Sequence, residues 1–586
     1  MSQPTPRGTG MRKSTVADVL WDMLHAAGVR RCYGIVGDAL NPVIDALARD
    51  GRIDFVHVRH EEAGVFAAVA DAYLTGAPVV VCGTAGPGAT HLLNGLMDAR
   101  KEGAPVIALA GDTVTDALET ETLEEVNPHQ LFQTASLYTG QIVNPRQTHA
   151  VVQRALLTAL RDRGPTVISL PGDVAAAPAS HAAVPAARLS DTVLRPAEAD
   201  LRVLADMLNE ARTVTIFGGE GCRDAHDQVV ALAERLQAPV AYTLRGKQWL
   251  EWDNPNAVGM TGLLGWGGAH QAMYDCDMCL LLGTDFPFSA FLPGGPRKAQ
   301  VDRRAANIGR RTPVDLGLVG HVGDTIDALL PLVHGKTETK HLDTARKHTT
   351  SARERNRHYV DHGPTTSPIR PEYLTTLLDE RAADDAVFTV DTGTACIWAA
   401  RHLTATPDRR ILGSFSWASM ANAMPNALGA ALAGGANRQV IALCGDGGFT
   451  MLLGDLLTLV QRKLPVKIVV LNNSSLGFVH IEMEEAGLAP YGTELANPNF
   501  AKVAEAMGAT GMRVSEPLDV SGAVDQLLDS DGPAVLDAVV DPVALALPPQ
   551  VSFGMAEGFG LSLAKQALHG NLDDAVRSVT HNVRLL

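Results

Sequence analysis

Residues Val440 to Ser475 read VIALCGDGGFTMLLGDLLTLVQRKLPVKIVVLNNSS. The apolar run Val440–Cys444 predicts a strand, Gly445-Asp446-Gly447-Gly448 breaks it, Phe449–Gln461 carries helical periodicity, and Val466–Leu471 is a second apolar, β-branched run. This is a βαβ unit, whose strands should be parallel and joined right-handedly, with their carboxyl ends on one sheet edge. Asp446 and Asn473 stand just past those two ends, so a carboxylate and an amide oxygen can meet at one point. With a single anionic side chain there and glycines that admit backbone closely, the other ligands of a hard cation would be a carbonyl, water and a cofactor's phosphate oxygens, the usual way of holding Mg²⁺. A helix beginning near Phe449 would add its positive end to the same phosphates.

The chain has 586 residues, 46% of them hydrophobic, with 55 glycines and few aromatics, which suits an α/β enzyme of three or four domains with many tight turns. A net charge of −16 and the lack of a basic run interleaved with aromatics argue against nucleic-acid binding. Seven scattered cysteines make no disulfide framework and point to a reducing cytoplasm. The one CxxC, Cys276 to Cys279, has no second pair nearby and is read as packing ahead of a strand. Neither a signal peptide nor an apolar segment of membrane-spanning length appears in the sequence.

Three βα blocks follow one another. From Ser14 to about Val174, apolar runs at Arg31–Val36, Ile53–Val58, Val79–Cys82 and Val106–Ala110 alternate with helical segments, as in a parallel sheet covered on both faces. The run ending at Val58 leads into Arg59-His60-Glu61-Glu62 and an alanine-rich helix over Ala63–Tyr73, placing Glu61 where such sheets bind ligands. Gly83-Thr84-Ala85-Gly86-Pro87-Gly88 is a glycine-rich strand-to-helix turn. An Ala/Pro-rich linker over 175–196 precedes the second block, with strands at Val214–Phe217, Pro239–Tyr242, Met278–Leu282 and Gln300–Val301. Its turns at Leu244–Lys247, Thr261–Gly265 and Gly283–Ser289, with Asp302 at a strand end, would suit an extended dinucleotide, although no GxGxxG is present. A polar stretch over 337–367, a surface helix or linker, leads to the third block, Pro368 to about Val543, where the strand Val387–Asp391 runs into Thr392-Gly393-Thr394.

GDG followed after a helix and a strand by NN resembles the diphosphate-binding motif of thiamine-diphosphate enzymes. Arg245-Gly246-Lys247, GMTGLLG (Gly259–Gly265), LLGTDFPF (Leu281–Phe288), GSFSWASMANAMPNALGA (Gly413–Ala430) and ALPPQ (Ala546–Gln550) extend the likeness over almost the entire chain. As a whole it resembles the FAD-dependent pyruvate oxidases of the quinone-reducing bacterial type. The resemblance implies three doubly wound parallel-sheet α/β domains and a C-terminal helical tail: a pyrimidine-binding domain over 11–180, a central FAD-binding domain over 195–335, a diphosphate- and Mg²⁺-binding domain over 365–545, and a tail over 546–586. It implies Mg²⁺ ligation by Asp446, Asn473 and the main-chain oxygen of Ser475. Thiamine diphosphate would contact Glu61, Thr392, Gly393, Ser419, Met420, Ala421, Asp446, Gly447, Gly448 and Asn473. Glu61 would share a proton with the aminopyrimidine ring, Met420 would wedge the coenzyme into its bent form, and Phe478 would wall the substrate pocket. FAD would contact Arg245, Gly262, Leu263, Leu264, Gly265, Asp285, Phe286, Pro287, Phe288, Ser289, Asp302 and Arg303.

The activity implied is oxidative decarboxylation of pyruvate, or a close 2-oxo acid, to acetate and CO₂, with electrons passing through FAD to a membrane quinone. A cytoplasmic homotetramer, associated peripherally with the inner face of the cell membrane, goes with it. In the tail, Val576, Val579, Val583 and Leu586 make an apolar helical stripe that could meet a lipid surface or the protein's own body. Two departures fall near the pocket. Leu123-Glu124-Glu125 replaces a common Phe-Gln-Glu, and Ser416-Trp417-Ala418 stands where quinone-type members have Asn-His-Gly. These bear on the substrate, and an inward Glu124 would disfavour an anionic acid. The alternatives are an acetolactate-synthase-like carboligase with structural FAD, and a catalytically silent flavoprotein or membrane-docking module.

Overall fold

The computed structural model describes residues 14–184, 190, 192–434, 438–544 and 561–562. The strands fall into three sheets. The first holds β1 (Arg31–Gly34), β2 (Asp54–His57), β3 (Val79–Gly83), β4 (Val106–Asp112), β5 (Tyr138–Gln141) and β6 (Thr166–Pro171). The second holds β7 (Val214–Gly218), β8 (Val240–Tyr242), β9 (Ala257–Met260), β10 (Trp266–Gly267), β11 (Met278–Leu282), β12 (Arg297–Asp302) and β13 (Leu316–Val319). The third holds β14 (Val387–Val390), β15 (Arg410–Gly413), β16 (Val440–Gly445), β17 (Val466–Asn472), β18 (Thr510–Val514) and β19 (Ala534–Val539).

Their spatial orders are β2-β1-β3-β4-β6-β5, β10-β9-β8-β7-β11-β12-β13 and β15-β14-β16-β17-β19-β18. The pairings are parallel except that of the short β10 with β9. Counted within its own sheet, the third repeats the winding of the first strand for strand. Inner strands such as β4, β6 and β17 are buried along their whole length, which is why they read as unbroken apolar runs rather than alternating ones. In each sheet the winding reverses beside its first strand: between β1 and β3, between β7 and β11, and between β14 and β16. Crevices outside the carboxyl ends at such reversals are where open α/β sheets take ligands.

The described chain divides into two compact units. One comprises residues up to 184 with 416–419 and 428–434; the other holds the second and third sheets. The first unit's core is built on Trp21, Val80, Ile107 and Ile168. In the other unit, Phe217, Leu281 and Met273 anchor the central sheet, and Phe388, Ile441, Val469 and Leu536 the third.

Two local features differ from the sequence reading, and a third sharpens it. The helix expected over Phe449–Gln461 arrives in pieces, Asp446–Met451, a single turn Leu453–Asp455, and Leu456–Arg462. The break falls at Leu452 (φ −121°, ψ 27°), and Asp455, where the last piece begins, accepts the Thr458 hydroxyl (2.8 Å). The helix expected from Ala63 opens at Glu61, because the His60 ring accepts the Glu62 N–H (3.2 Å) and caps it. The polar stretch 337–367 is mostly one helix, Lys340–Asp361, with Leu342, Ala345, Thr349 and Tyr359 buried. All seven cysteines are free and buried, and Cys276 Sγ donates to the Met273 carbonyl, consistent with packing. Among the described residues no helix is long and apolar enough to cross a membrane. The stripe expected over 574–586 and the whole of ALPPQ lie outside the described residues.

Candidate active site

Strand register decides the site on the third sheet. β16 and β17 pair from Val440↔Val466 to Gly445↔Leu471, so the residue after β16 emerges beside the end of β17. That residue is Asp446, which is buried. Its Oδ2 accepts the Ser474 N–H (2.7 Å) and the Asn497 amide (2.8 Å), and its Oδ1 accepts the Gly447 N–H (2.8 Å). Asn473 Oδ1 accepts the Ser475 N–H at 3.1 Å. The turn is fixed by a left-handed Ser474 (φ 55°) and by bonds from Leu476 N–H to the Thr493 carbonyl and from Leu495 N–H to the Ser474 carbonyl, each 2.8 Å. Asp446, Asn473 and Ser475 thus share one pair of abutting turns, and the Ser475 Oγ there is buried with no hydrogen-bond partner. Burial raises the Asp446 carboxyl above the usual carboxylate range, a penalty that a bound divalent cation would reverse. An oxygen-only donor set of this kind fits Mg²⁺ with phosphate better than it fits a soft metal.

The opposite lip of the same crevice follows β14. Gly393 has a φ of 140°, a conformation that a side chain would strain. Just before it, Asp391 is wholly enclosed, and its Oδ1 accepts the Asn422 N–H (3.1 Å) and side-chain amide (3.2 Å). Burial pushes its carboxyl up to about 7. Asp391 Oδ2 has no hydrogen-bond partner and lies over Gly448, where a Cβ would come within 1.8 Å of it. Met420 stands against the GDGG turn, its Cε 3.3 Å from where a Gly447 Cβ would be. Ala418 and Ala421 bracket it at φ 61° and 67°. Phe478, in the helix Gly477–Glu485, is partly buried against the core of the third sheet.

In the first unit, Glu61 is the buried first residue of the helix Glu61–Thr75. Its Oε2 pairs with His91 Nδ1 at 2.9 Å, and its Oε1 would lie 3.2 Å from a Cβ on Gly88. The glycine-rich turn therefore passes close under this carboxyl group, and a side chain on Gly88 would crowd it. His91 in turn stacks on His60, ring centroids 4.4 Å apart. Asn94 gathers the other predicted groups of this unit: its amide nitrogen donates to Glu62 Oε1 (2.8 Å) and Ser419 Oγ (2.9 Å), and its oxygen accepts from Trp417 Nε1 (2.7 Å). Glu124 has a φ of 64°, and its main chain would meet a Cβ on Gly86 at 2.9 Å, so this departure lies directly on the GTAGPG turn while Leu123 points to solvent.

At the reversal of the central sheet two glycine turns press together. Gly221 N–H donates to the Gly283 carbonyl (2.9 Å), and a Cβ on Gly221 would come within 2.5 Å of Gly283 Cα. Thr284 Oγ1 is buried beside them with no hydrogen-bond partner. That orphaned hydroxyl and the close glycine turns fit the phosphate end of a dinucleotide. Arg245 stands at the rim, on the helix Leu244–Leu250. Gly262 packs under Phe286, whose ring meets Phe288 and Phe217 edge-on at 5.4 and 5.3 Å. Asp302 closes β12 and accepts the Arg304 N–H (2.8 Å) and the Asn307 amide (3.1 Å). Asp285 is held by Arg310 and Arg311, Leu264 packs on the third-sheet core, and Gly265 offers its carbonyl to Arg401 (2.9 Å). Leu263, Pro287, Ser289 and Arg303 border the same turns in sequence. His91, Asp391, Asn422, Asn497 and Glu220 escaped the sequence reading, and Thr284 was covered only as part of the turn Gly283–Ser289. Asp391, directly before Thr392-Gly393, and Glu220, directly after the Gly218-Gly219 strand end, carried a positional signal.

Two carboxylate-bearing crevices on like-wound sheets, one equipped for a cation and phosphates, define a coenzyme-dependent enzyme. The chain matches the thiamine pyrophosphate enzymes in three parts: the N-terminal TPP-binding domain over residues 14–131, the central domain over 201–329 and the C-terminal TPP-binding domain over 391–538. It belongs to that family. It is 33% identical to the thiamine pyrophosphate-containing protein YdaP of Bacillus subtilis, over 95% of this chain and 96% of the relative. It is 30% identical to a pyruvate oxidase of Lactiplantibacillus plantarum (88% and 87% covered) and 29% identical to an acetolactate synthase large subunit of Parasynechococcus marenigrum (89% and 87% covered).

Proposed function

We propose that this chain, with thiamine diphosphate, Mg²⁺ and FAD, converts pyruvate or a close 2-oxo acid oxidatively to acetate and CO₂. Its electrons leave through FAD to a quinone at a membrane surface. Thiamine diphosphate, when bound, supplies the electron sink for decarboxylation, and FAD the two-electron acceptor. Asp446, Asn473 and the Ser475 carbonyl hold the cation and through it the diphosphate. Glu61, seated against His91, bonds the pyrimidine nitrogen and moves its proton. Met420 supports the bent coenzyme, with Thr392, Gly393, Ser419, Ala421, Gly447 and Gly448 around it, and Phe478 walls the substrate side. The crevice between β7 and β11 receives FAD. The domain limits are 11–180, 195–335 and 365–545; a tail over 546–586 meets lipid, and the working particle is a homotetramer.

The observation that carries this reading is the abutment of the Asp446 and Asn473–Ser475 turns, through the bond from Ser474 N–H to Asp446 at 2.7 Å. The similar identity to an acetolactate synthase favours a second reading, carboligation of two 2-oxo acids with FAD structural. One experiment separates them. Purified protein with thiamine diphosphate and Mg²⁺ is given pyruvate without oxygen; flavin bands that bleach, with dye reduced in proportion to CO₂, support the oxidase. Acetolactate formed with no dye reduction overturns it in favour of the carboligase.

A further inference from the structure

The crevice between β7 and β11 holds an anion of its own. Glu220 is the second residue beyond β7, in the one-turn helix Glu220–Cys222, at the sheet's reversal point. Its Oε2 lies 3.8 Å from Arg245 Nε and accepts a hydrogen bond from Trp249 Nε1 at 3.2 Å. Both ends of the ion pair are mostly covered, with side chains 20% exposed for Arg245 and 23% for Glu220. The backbone under Glu220 cannot withdraw far. Gly219 N–H donates to the Leu282 carbonyl (3.0 Å), Gly221 N–H donates to the Gly283 carbonyl (2.9 Å), and a Cβ on Gly219 would meet that carbonyl at 2.7 Å.

A dinucleotide laid across this crevice puts its diphosphate at the glycine turns, next to the orphaned Thr284 hydroxyl. There it meets a carboxylate, and the guanidinium at the rim already has a carboxylate partner. Like charges brought together in a partly covered site repel, and an arginine shared between two anions gives less to each.

We infer that Glu220 is a latch on the diphosphate end of the central cofactor site: it holds Arg245, and a dinucleotide binds by displacing it. This rests on the flavin reading of the central domain. Its consequence is that the chain takes up FAD more weakly than its fold permits, and exchanges it. A merely structural Glu220, there to seat Trp249 and Arg245, would have the opposite signature, because removing its charge would then weaken binding.

The test is a titration of the full-length, flavin-stripped protein with FAD, ADP and riboflavin, read by flavin fluorescence and, for ADP, by calorimetry. Glu220→Gln keeps the side chain's shape and removes its charge. Glu220→Asp keeps the charge and shortens the reach to Arg245, and serves where the glutamine variant does not fold. The expected result is a dissociation constant for FAD and ADP lowered about tenfold in Glu220→Gln and by a smaller factor in Glu220→Asp, a tenfold change being ~1.4 kcal/mol. Riboflavin, which lacks the diphosphate, should bind as before. FAD bound equally well or less well by the variants overturns the latch and leaves the flavin reading standing. FAD bound by neither the wild type nor the variants overturns the flavin reading and the latch with it.

Discussion

Replacing Gly448 by alanine should damage the apoprotein through one contact. The added Cβ would sit 1.8 Å from Asp391 Oδ2, 2.8 Å from its Cγ and 3.1 Å from the Ala421 nitrogen. Ordinary contact needs well over 3 Å, so the carboxylate or the GDGG turn must move by about 1.5 Å. Asp391 is enclosed, its own N–H is tied to the Leu443 carbonyl (2.9 Å), and its Oδ1 holds two bonds from Asn422. Losing one or both of those bonds costs about 1–3 kcal/mol each, and overpacking a rigid site adds about 1–3 kcal/mol. Taking one bond lost at about 2 kcal/mol and overpacking at about 2 kcal/mol, a total of roughly 4 kcal/mol follows, which in a domain of this size lowers its melting temperature by about 8–16 °C. Calorimetry on the apoprotein measures it, with a control three residues away. Gly445 has a φ of −72° and nothing within 4 Å of where an added Cβ would sit, so Gly445→Ala should leave the apoprotein's melting unchanged. A Gly448→Ala protein that melts within a degree of wild type, or a Gly445→Ala protein equally damaged, refutes the packing argument.

Three further outcomes are expected. Asp446→Asn, which keeps the bonds to Ser474 and Asn497 within reach but removes the charge, should weaken Mg²⁺-dependent binding of thiamine diphosphate at least tenfold by isothermal titration. Glu61→Gln should cut pyruvate-dependent dye reduction about a hundredfold or more, while changing coenzyme affinity far less. Burial pushes the His402 imidazole from 6.5 down to about 3, so between those values the unfolded chain binds a proton that the folded chain refuses. Stability therefore falls as pH drops below 6.5, by ~2 kcal/mol at pH 5. The melting temperature should decline accordingly, and His402→Gln should flatten that decline; an equal slope in both proteins would remove His402 as its cause.

The parts of this molecule that were legible in its sequence are those fixed by short-range pattern. Runs such as Met278–Leu282 and Val466–Leu471 are apolar because both sheet faces are covered, and their ends carry the glycines and acids that mark turns. Strands like Leu316–Val319 and Thr510–Val514 were missed because they lie at sheet edges, where exposure dilutes the apolar signal. The segment 449–461 misled because periodicity does not register a local backbone departure such as that at Leu452. Within the site, Asp446 and Asn473 could be read because one βα crossover joins them. Asp391 with Gly448, and Glu220 with Arg245, meet only through sheet order, which no local window contains.

The first and third sheets follow one winding scheme, yet their equivalent edges are furnished differently: a glutamic acid paired with a histidine over glycines on one, aspartates and amides on the other. Common topology with divided equipment gives each half a separate evolutionary ledger. On the proposed reading, changes around Glu61 would retune proton handling without disturbing the Asp446 turn that would hold the cation, and changes in that turn would do the reverse.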